Sequence, residues 1–181
     1  MTKAEVRAEI KDRLLSQNKE EKREKDSIIK EKLSSLPEFK EAKTVGFYVS
    51  LASEVDTEAL IDEALRAGKT VVVPVMDGDD LKFHRIEDRK ADLAEGPCGI
   101  LQPDKSREKL FPKDRMDVVI VPGVAFSKEG ARLGKGRGFY DRFLKDLPHR
   151  VKRIGLAYDL QIIQDLPVAP HDVPVDTVIT N

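Results

Sequence analysis

The residues with the clearest chemical potential lie in one stretch, VPGVAFSKEGARLGKGRGFYDRFL, residues 121–144. It leaves an apolar run, crosses a loop carrying Gly130, Gly134, Gly136 and Gly138, and enters a helical pattern near Phe139. Glycines let backbone N–H groups come close to a phosphate, and the start of a helix supplies unpaired donors and a positive dipole end. Arg132, Lys135 and Arg137 place formal charge in the same segment. The chemistry this combination suits is local binding of an anion, a phosphate above all. A Walker loop does not describe it: three residues, not four, separate Gly130 from Gly134, and Gly136 rather than Ser or Thr follows Lys135. The dinucleotide fingerprint fails as well, because the spacing is G-x-G-x-G. A flexible surface loop with a few charges is the competing reading, and these residues alone leave both open.

Other reactive side chains are sparse. His84, His149 and His171 are scattered without metal-ligand spacing, which argues against zinc. Cys98 is the sole cysteine and has no base partner in sequence, so it reads as a buried or bystander thiol.

The elements that must position the loop follow from periodicity. Val6, Ile10 and Leu14 recur every four residues between Lys3 and Leu15 and make one helical stripe. A second charged helix is expected from Lys19 to Leu33, with Ile28, Ile29 and Leu33 as its apolar positions; its KEEKREKD run suits a solvated face or an interaction tail. VGFYVS (45–50) reads as a strand, and Asp56 as the N-cap of the helix TEALIDEALRAG, which Gly68 stops. TVVVPV (70–75) is apolar enough to be covered on both faces, so a strand-helix-strand unit with parallel pairing results. LKFHRI (81–86) after the DGDD turn, DVVIVPGVAF (117–126), VKRIGLAY (151–158) and the terminal TVIT supply further strands, and GFYDRFLKDL (138–147) a helix. EGPCGILQPD is turn-rich and receives no assignment.

With 181 residues, one α/β domain spanning 1–181 is expected: an open, mostly parallel sheet with added N-terminal helices. Lys and Arg total 32 against 33 acidic residues, and a net charge of -1 offers no global field for nucleic acid or an anionic membrane. Charged residues are 36% and hydrophobic residues 40%, which suits a folded chain with a mixed-sign surface. One cysteine excludes an intrachain disulfide, the start MTKAEVRAEIKDRLL lacks the apolar core of a signal peptide, and no run approaches a membrane span; a cytoplasmic protein is expected.

The run from Pro122 to Leu144, PGVAFSKEGARLGKGRGFYDRFL, resembles the signature of the 5-formyltetrahydrofolate cyclo-ligases, which commonly reads P-G-x-A-F-D-x-x-G-x-R-L-G-Y-G-G-G-Y-Y-D-R-x-L. The resemblance spans nearly the whole chain, through Lys3 and Arg7, Glu54-Val55-Asp56-Thr57, and His171-Asp172 with Val175-Asp176. Departures are Ser127 for aspartate, Lys135 for an aromatic residue, Arg137 for glycine and Phe139 for tyrosine.

The resemblance implies a three-layer α/β/α fold akin to those of sugar-phosphate isomerases and CoA transferases, and ATP-dependent cyclisation of 5-formyltetrahydrofolate to 5,10-methenyltetrahydrofolate with release of ADP and phosphate. It implies ATP binding by Lys3, Arg7, Arg132, Gly134, Lys135, Gly136, Arg137, Gly138, Phe139 and Tyr140, with Arg132, Lys135 and Arg137 as the catalytic cations. Folate, including polyglutamylated forms, would be held by Val49, Glu54 and Phe139. Asp141 and Asp172 would hold Mg²⁺ together with phosphate oxygens and water. A monomer with ATP and folate as its small-molecule partners is expected. Two other readings stay open at this level: a sugar-phosphate isomerase using the loop without ATP, and a non-catalytic nucleotide- or folate-binding regulator.

Overall fold

The computed structural model describes residues 1–96, 99–104, 106 and 109–181; Cys98 lies outside the described residues. The chain opens with α1 (Lys3–Leu15), whose N-cap Thr2 and Glu5 form a reciprocal capping box. Val6 and Ile10 are fully buried and Leu14 packs partly buried, as the four-residue stripe predicts. In α2 (Lys19–Ser35), Ile29 and Leu33 are fully buried but Ile28 is 42% exposed. Residues 29 and 33 share a face; residue 28 sits about 100° off it, so only two of the three expected apolar positions point inward.

After α3 (Pro37–Glu41) come β1 (Thr44–Gly46), α4 (Glu58–Arg66), β2 (Thr70–Asp77) and β3 (Asp80–Ile86). Then follow α5 (Arg89–Asp92), β4 (Leu93–Glu95), β5 (Leu101–Pro103), β6 (Leu110–Phe111), β7 (Val118–Val121), β8 (Ala125–Phe126) and β9 (Arg132–Leu133). The chain closes with α6 (Phe139–Lys145), β10 (Lys152–Ala157) and β11 (Thr177–Thr180). The main sheet has the order β11-β10-β7-β1-β2-β3-β6, with β11 through β2 parallel and β3 antiparallel to both of its neighbours. The α/β fold with a mixed, mostly parallel seven-stranded sheet and N-terminal helices therefore agrees with the sequence-based expectation.

The central strand β7 is only four residues long, yet Val118, Val119, Ile120 and Val121 are each at most 1% exposed. Alternate residues serve opposite faces: Val118 and Ile120 pack with Ile29, Leu33 and Leu60, while Val119 and Val121 pack with Phe143 and Leu144. Full burial of each aliphatic side chain stabilises by roughly 1.5–3 kcal/mol, which is what makes so short a strand the spine of a sheet covered on both sides.

Two expectations shift. The strand foreseen over 45–50 leaves the regular ladder after Gly46, although Phe47 N–H still donates to Val72 O at 2.9 Å. The reason is local competition: the Thr57 hydroxyl donates to Tyr48 O at 2.6 Å and accepts from Ser50 N at 3.0 Å. Because that hydroxyl is engaged, Thr57 occupies the N-cap position of α4 without capping it, and Asp56 Oδ1 instead accepts from Glu58 N at 2.8 Å. The unassigned EGPCGILQPD segment contributes to the two-stranded pairing of β4 with β5.

Chain order sets where a ligand can bind. From β1 the chain builds outward through β2, β3 and β6, then returns to the other side of β1 to build β7, β10 and β11. The β1/β7 seam is thus the topological switch point, and the crevice beyond its carboxyl ends is where open α/β sheets receive ligands.

Candidate active site

A cavity of about 390 Å³ occupies that crevice. Tyr48, Val49 and Glu54 border it from beyond β1, Pro122 and Gly123 from beyond β7, and Pro74 and Met76 from the end of β2. The glycine-rich loop and the start of α6 close another side through Gly134, Lys135, Arg137, Gly138, Phe139, Tyr140 and Asp141, with Arg132 behind them.

The loop is held by interactions that start at β7. Gly123 lies against the Phe126 ring, where a Cβ would fall 2.5 Å from a ring carbon. The β8/β9 pair then folds back, with Phe126 opposite Arg132. At the turn, Ser127 Oγ accepts from Glu129 N and Ala131 N at 3.2 and 3.3 Å, so serine here performs a turn-closing role available to the usual aspartate. Gly130, at φ +92°, passes under the C-terminal segment; its carbonyl accepts from Val175 N at 2.9 Å, and a Cβ would sit 2.3 Å from Val175 O.

Arg132 is the most deeply held cation of the site, with a side chain 2% exposed. Its Nη2 donates to Asp141 Oδ1 at 2.5 Å and its Nη1 to Pro122 O at 3.4 Å, fixing the guanidinium beside the cavity. Asp141 Oδ1 also accepts from Val173 N at 3.1 Å. No hydrogen bond to Asp141 Oδ2 forms among the described residues. Asp172, next to Val173, pairs with Lys3 and accepts from Ala169 N. Burial works against its charge, but the hydrogen bonds from Lys3 and the Ala169 N–H outweigh it and hold the carboxyl below its ordinary range.

From α1, Arg7 Nε donates to Gly134 O at 2.8 Å, and the same guanidinium lies beside Gly136. Arg7 therefore borders the loop, while Lys3, one turn earlier on the same helical face, is paired with Asp172. Lys3, Arg7, Gly136 and Asp172 lie outside the cavity lining itself, whereas Val49, Glu54, Arg132, Gly134, Lys135, Arg137, Gly138, Phe139, Tyr140 and Asp141 are in it. Val49, 6% exposed, also packs in the core, so both roles weighed for it coexist.

Glu54 is presented by a densely bonded turn. Its Oε2 accepts from Leu51 N at 2.8 Å, its own N–H donates to Leu51 O at 2.9 Å, and its Oε1 pairs with Lys135 Nζ at 2.7 Å. Beneath the turn, the Tyr158 hydroxyl contacts Asp26 Oδ1 at 2.6 Å and Glu54 O at 3.1 Å, and Asp56 N donates to Asp26 Oδ1 at 3.1 Å. Burial, reinforced by the Glu54 carboxylate, pushes the Tyr48 and Tyr140 hydroxyls well above their ordinary pKa, so both stay protonated.

Three contributors escaped the sequence reading. The apolar side of the cavity comes from Leu81 together with Ile100 and Leu101, the latter two from the segment left unassigned; no periodicity marked them. Arg142 donates to Asp79 O at 2.9 and 2.6 Å and to Arg137 O at 3.1 Å, tying the loop to the β2–β3 turn, and it lies 5.2 Å from the Phe139 ring. Arg137 lies 5.3 Å from the same ring. The Tyr158–Asp26 support joins residues 132 positions apart, a pairing that sequence spacing cannot announce.

The donor set limits what metal the site can take. Among the described residues no group of three or more His, Cys, Asp or Glu converges as a protein-only metal cage. Asp141, at the cavity with an oxygen not engaged by the described residues, and Asp172, whose chain neighbour Val173 donates to Asp141, are a donor set of the kind that suits Mg²⁺, which prefers one or two carboxylates with substrate phosphates and water.

Known proteins resemble the chain over this whole arrangement. Residues 1–181 match the 5-formyltetrahydrofolate cyclo-ligase family. The 5-formyltetrahydrofolate cyclo-ligase of Escherichia coli K12 is 37% identical over 143 residues, 77% of this chain and 78% of that protein. A probable 5-formyltetrahydrofolate cyclo-ligase of Caenorhabditis elegans is 35% identical over 188 residues, 98% of this chain and 91% of that protein. The NMR structure of Aquifex aeolicus 5,10-methenyltetrahydrofolate synthetase superposes with a TM-score of 0.87 at 35% identity, covering 99% of this chain and 89% of that one. The switch-point cavity, the basic glycine loop on its rim and these similarities over most or all of the chain lead to one conclusion: the chain belongs to the 5-formyltetrahydrofolate cyclo-ligase family and is an ATP-using ligase of folate one-carbon metabolism.

Proposed function

We propose that the cavity holds the reduced folate, with Glu54, Val49 and Phe139 around it, and that the loop from Arg132 to Tyr140, with Lys3 and Arg7, holds the ATP phosphates. The observation that carries this reading is the meeting of a carboxylate on a rigid turn with a cluster of cations at one switch-point crevice. The formyl oxygen on N5 attacks the γ-phosphorus, and the bond from that phosphorus to the bridging oxygen breaks as ADP leaves. N10 then adds to the activated formyl carbon and loses its proton, and the C–O bond breaks with release of phosphate, leaving the 5,10-methenyl ring. Phosphorylation turns a poor oxygen leaving group into a good one, so the protein must supply alignment and charge neutralisation.

Arg132 suits the second task because its guanidinium is buried and held in place before substrate arrives, so little reorganisation opposes its action. Lys135 and Arg137 are more exposed and add charge at the rim. Asp141 and Asp172 would hold Mg²⁺; when bound, that ion neutralises charge on the transferring phosphates. Residues 1–181 act as one domain and as a monomer, in the cytoplasm, on folates with or without a polyglutamate tail. Among the described residues, no helix is long and apolar enough to cross a membrane.

Mixing the protein with 5-formyltetrahydrofolate and Mg-ATP tests the reaction: methenyl absorbance and ADP should rise in equal amounts. Product formed at the same rate without nucleotide, or ADP formed without methenyl product, would exclude it. A 10-formyl folate should not undergo the ATP-dependent step.

A further inference from the structure

Lys135 and Glu54 stand on opposite walls of the cavity and are joined by an ion pair of 2.7 Å. Each belongs, in the proposed function, to a different substrate: the lysine to the nucleotide phosphates and the carboxylate to the folate. We infer that Lys135 is a charge switch that couples the two substrates, covering Glu54 until nucleotide phosphate draws it away and frees the carboxylate for folate. The inference rests on that assignment of Glu54 and deepens it.

The two partners differ in a way that sets the direction of the exchange. Glu54 is 16% exposed and its turn is fixed by the Leu51, Tyr158 and Asp26 contacts, so it stays where it is. Lys135 is 59% exposed and sits between Gly134 and Gly136, on a flexible four-carbon stem. A triphosphate offers more negative charge than one carboxylate, so the mobile cation transfers to it. Folate that binds first must displace the lysine; folate that binds after nucleotide meets an uncovered acid. By reciprocity, folate must strengthen nucleotide binding by the same factor. A half-exposed ion pair supports a coupling of about two- to five-fold, falling with added salt.

Calorimetry with 5-formyltetrahydrofolate, in the presence and absence of a non-hydrolysable ATP analogue and Mg²⁺, reads the coupling directly. In the wild-type protein the analogue should tighten folate binding about two- to five-fold at low salt and less at high salt. Lys135→Met should bind folate without nucleotide more tightly than wild type, and the analogue should then add nothing. Coupling of unchanged size in Lys135→Met, or coupling indifferent to salt, would overturn the switch. Glu54→Gln separates this from the underlying assignment: if it leaves folate affinity untouched, Glu54 does not hold folate and the proposed site falls, whereas weakened folate binding alongside persistent coupling in Lys135→Met sinks the switch alone.

Discussion

The two walls of the cavity are built on opposite principles. The wall beyond β1, residues 48–57, is stitched by its own backbone and by buried groups: Thr57 to Tyr48 and Ser50, Glu54 to Leu51, and Tyr158 with Asp26 from beneath. The loop wall at 134–138 carries exposed Lys135, Gly136 and Arg137 and is held by side chains that reach it from outside, Arg7 at Gly134 and Arg142 at Arg137. A planar, polar heterocycle is recognised by donors and acceptors fixed beforehand, because ordering them on binding would cost entropy. A triphosphate that must be admitted, cleaved and released is better met by cations on a compliant segment. Arg132 belongs to the rigid class although the proposed function puts it on the phosphate side, and in that proposal it is the cation whose position matters most to the chemistry.

The largest effect expected from breaking this division is at Arg132. Arg132→Met removes a buried cation and leaves Asp141 without its ion-pair partner; turnover should fall by about 100-fold or more, and urea denaturation should show a loss of about 3 kcal/mol. Retained turnover would place the essential charge on the flexible wall instead. Next is Glu54→Gln, which should raise the KM for folate about 10-fold or more while the KM for ATP stays near wild type, since hydrogen bonds to a charged group contribute about 1.5–3 kcal/mol. Equal rises in both constants would show that the walls are not separate.

Asp141→Asn should raise the Mg²⁺ concentration needed for half-maximal rate, with partial rescue by excess Mg²⁺; an unchanged metal titration would remove Asp141 from the metal site. Smaller still is the double change Lys135→Tyr with Arg137→Gly. It should keep turnover while making ATP affinity less sensitive to salt, because both cations stand at the exposed rim. Calorimetry at low and high salt decides this, and unaltered salt dependence would make them plain surface charges.

The smallest effect is acid-dependent. The folded Asp172 carboxyl is held below its ordinary range, so its pair with Lys3 contributes stability above the unfolded value of about 4 and loses it as pH falls through the folded value. The stability difference between wild type and Lys3→Met, followed by thermal melts, should therefore be present at neutral pH and vanish in acid.

Much of this was legible along the chain because it depends on neighbours in sequence. Residues three and four apart share a helix face, so Val6, Ile10, Ile29 and Leu33 announce their burial. Continuous aliphatic runs announce β2 and β7 as strands covered on both sides, and the glycine spacing announces the cation-bearing loop that leads into α6. The same logic brought Lys3 and Arg7 to one face of α1, but what that face would meet was not encoded locally.

Tertiary structure alone decided which residues share the cavity and which charges are spoken for. Chain return at the β1/β7 seam puts Glu54 opposite Lys135, although 81 positions separate them, and folds Ile100 and Leu101 over the apolar side. It made β1 shorter than its apolar run, because the Thr57 hydroxyl claims the Tyr48 carbonyl and Ser50 amide that a strand would have used. The identity of each side chain fixes what charge or hydrogen bond it can offer, but a long-range partner is chosen by packing, since only the assembled sheet brings distant chain segments within a few ångströms.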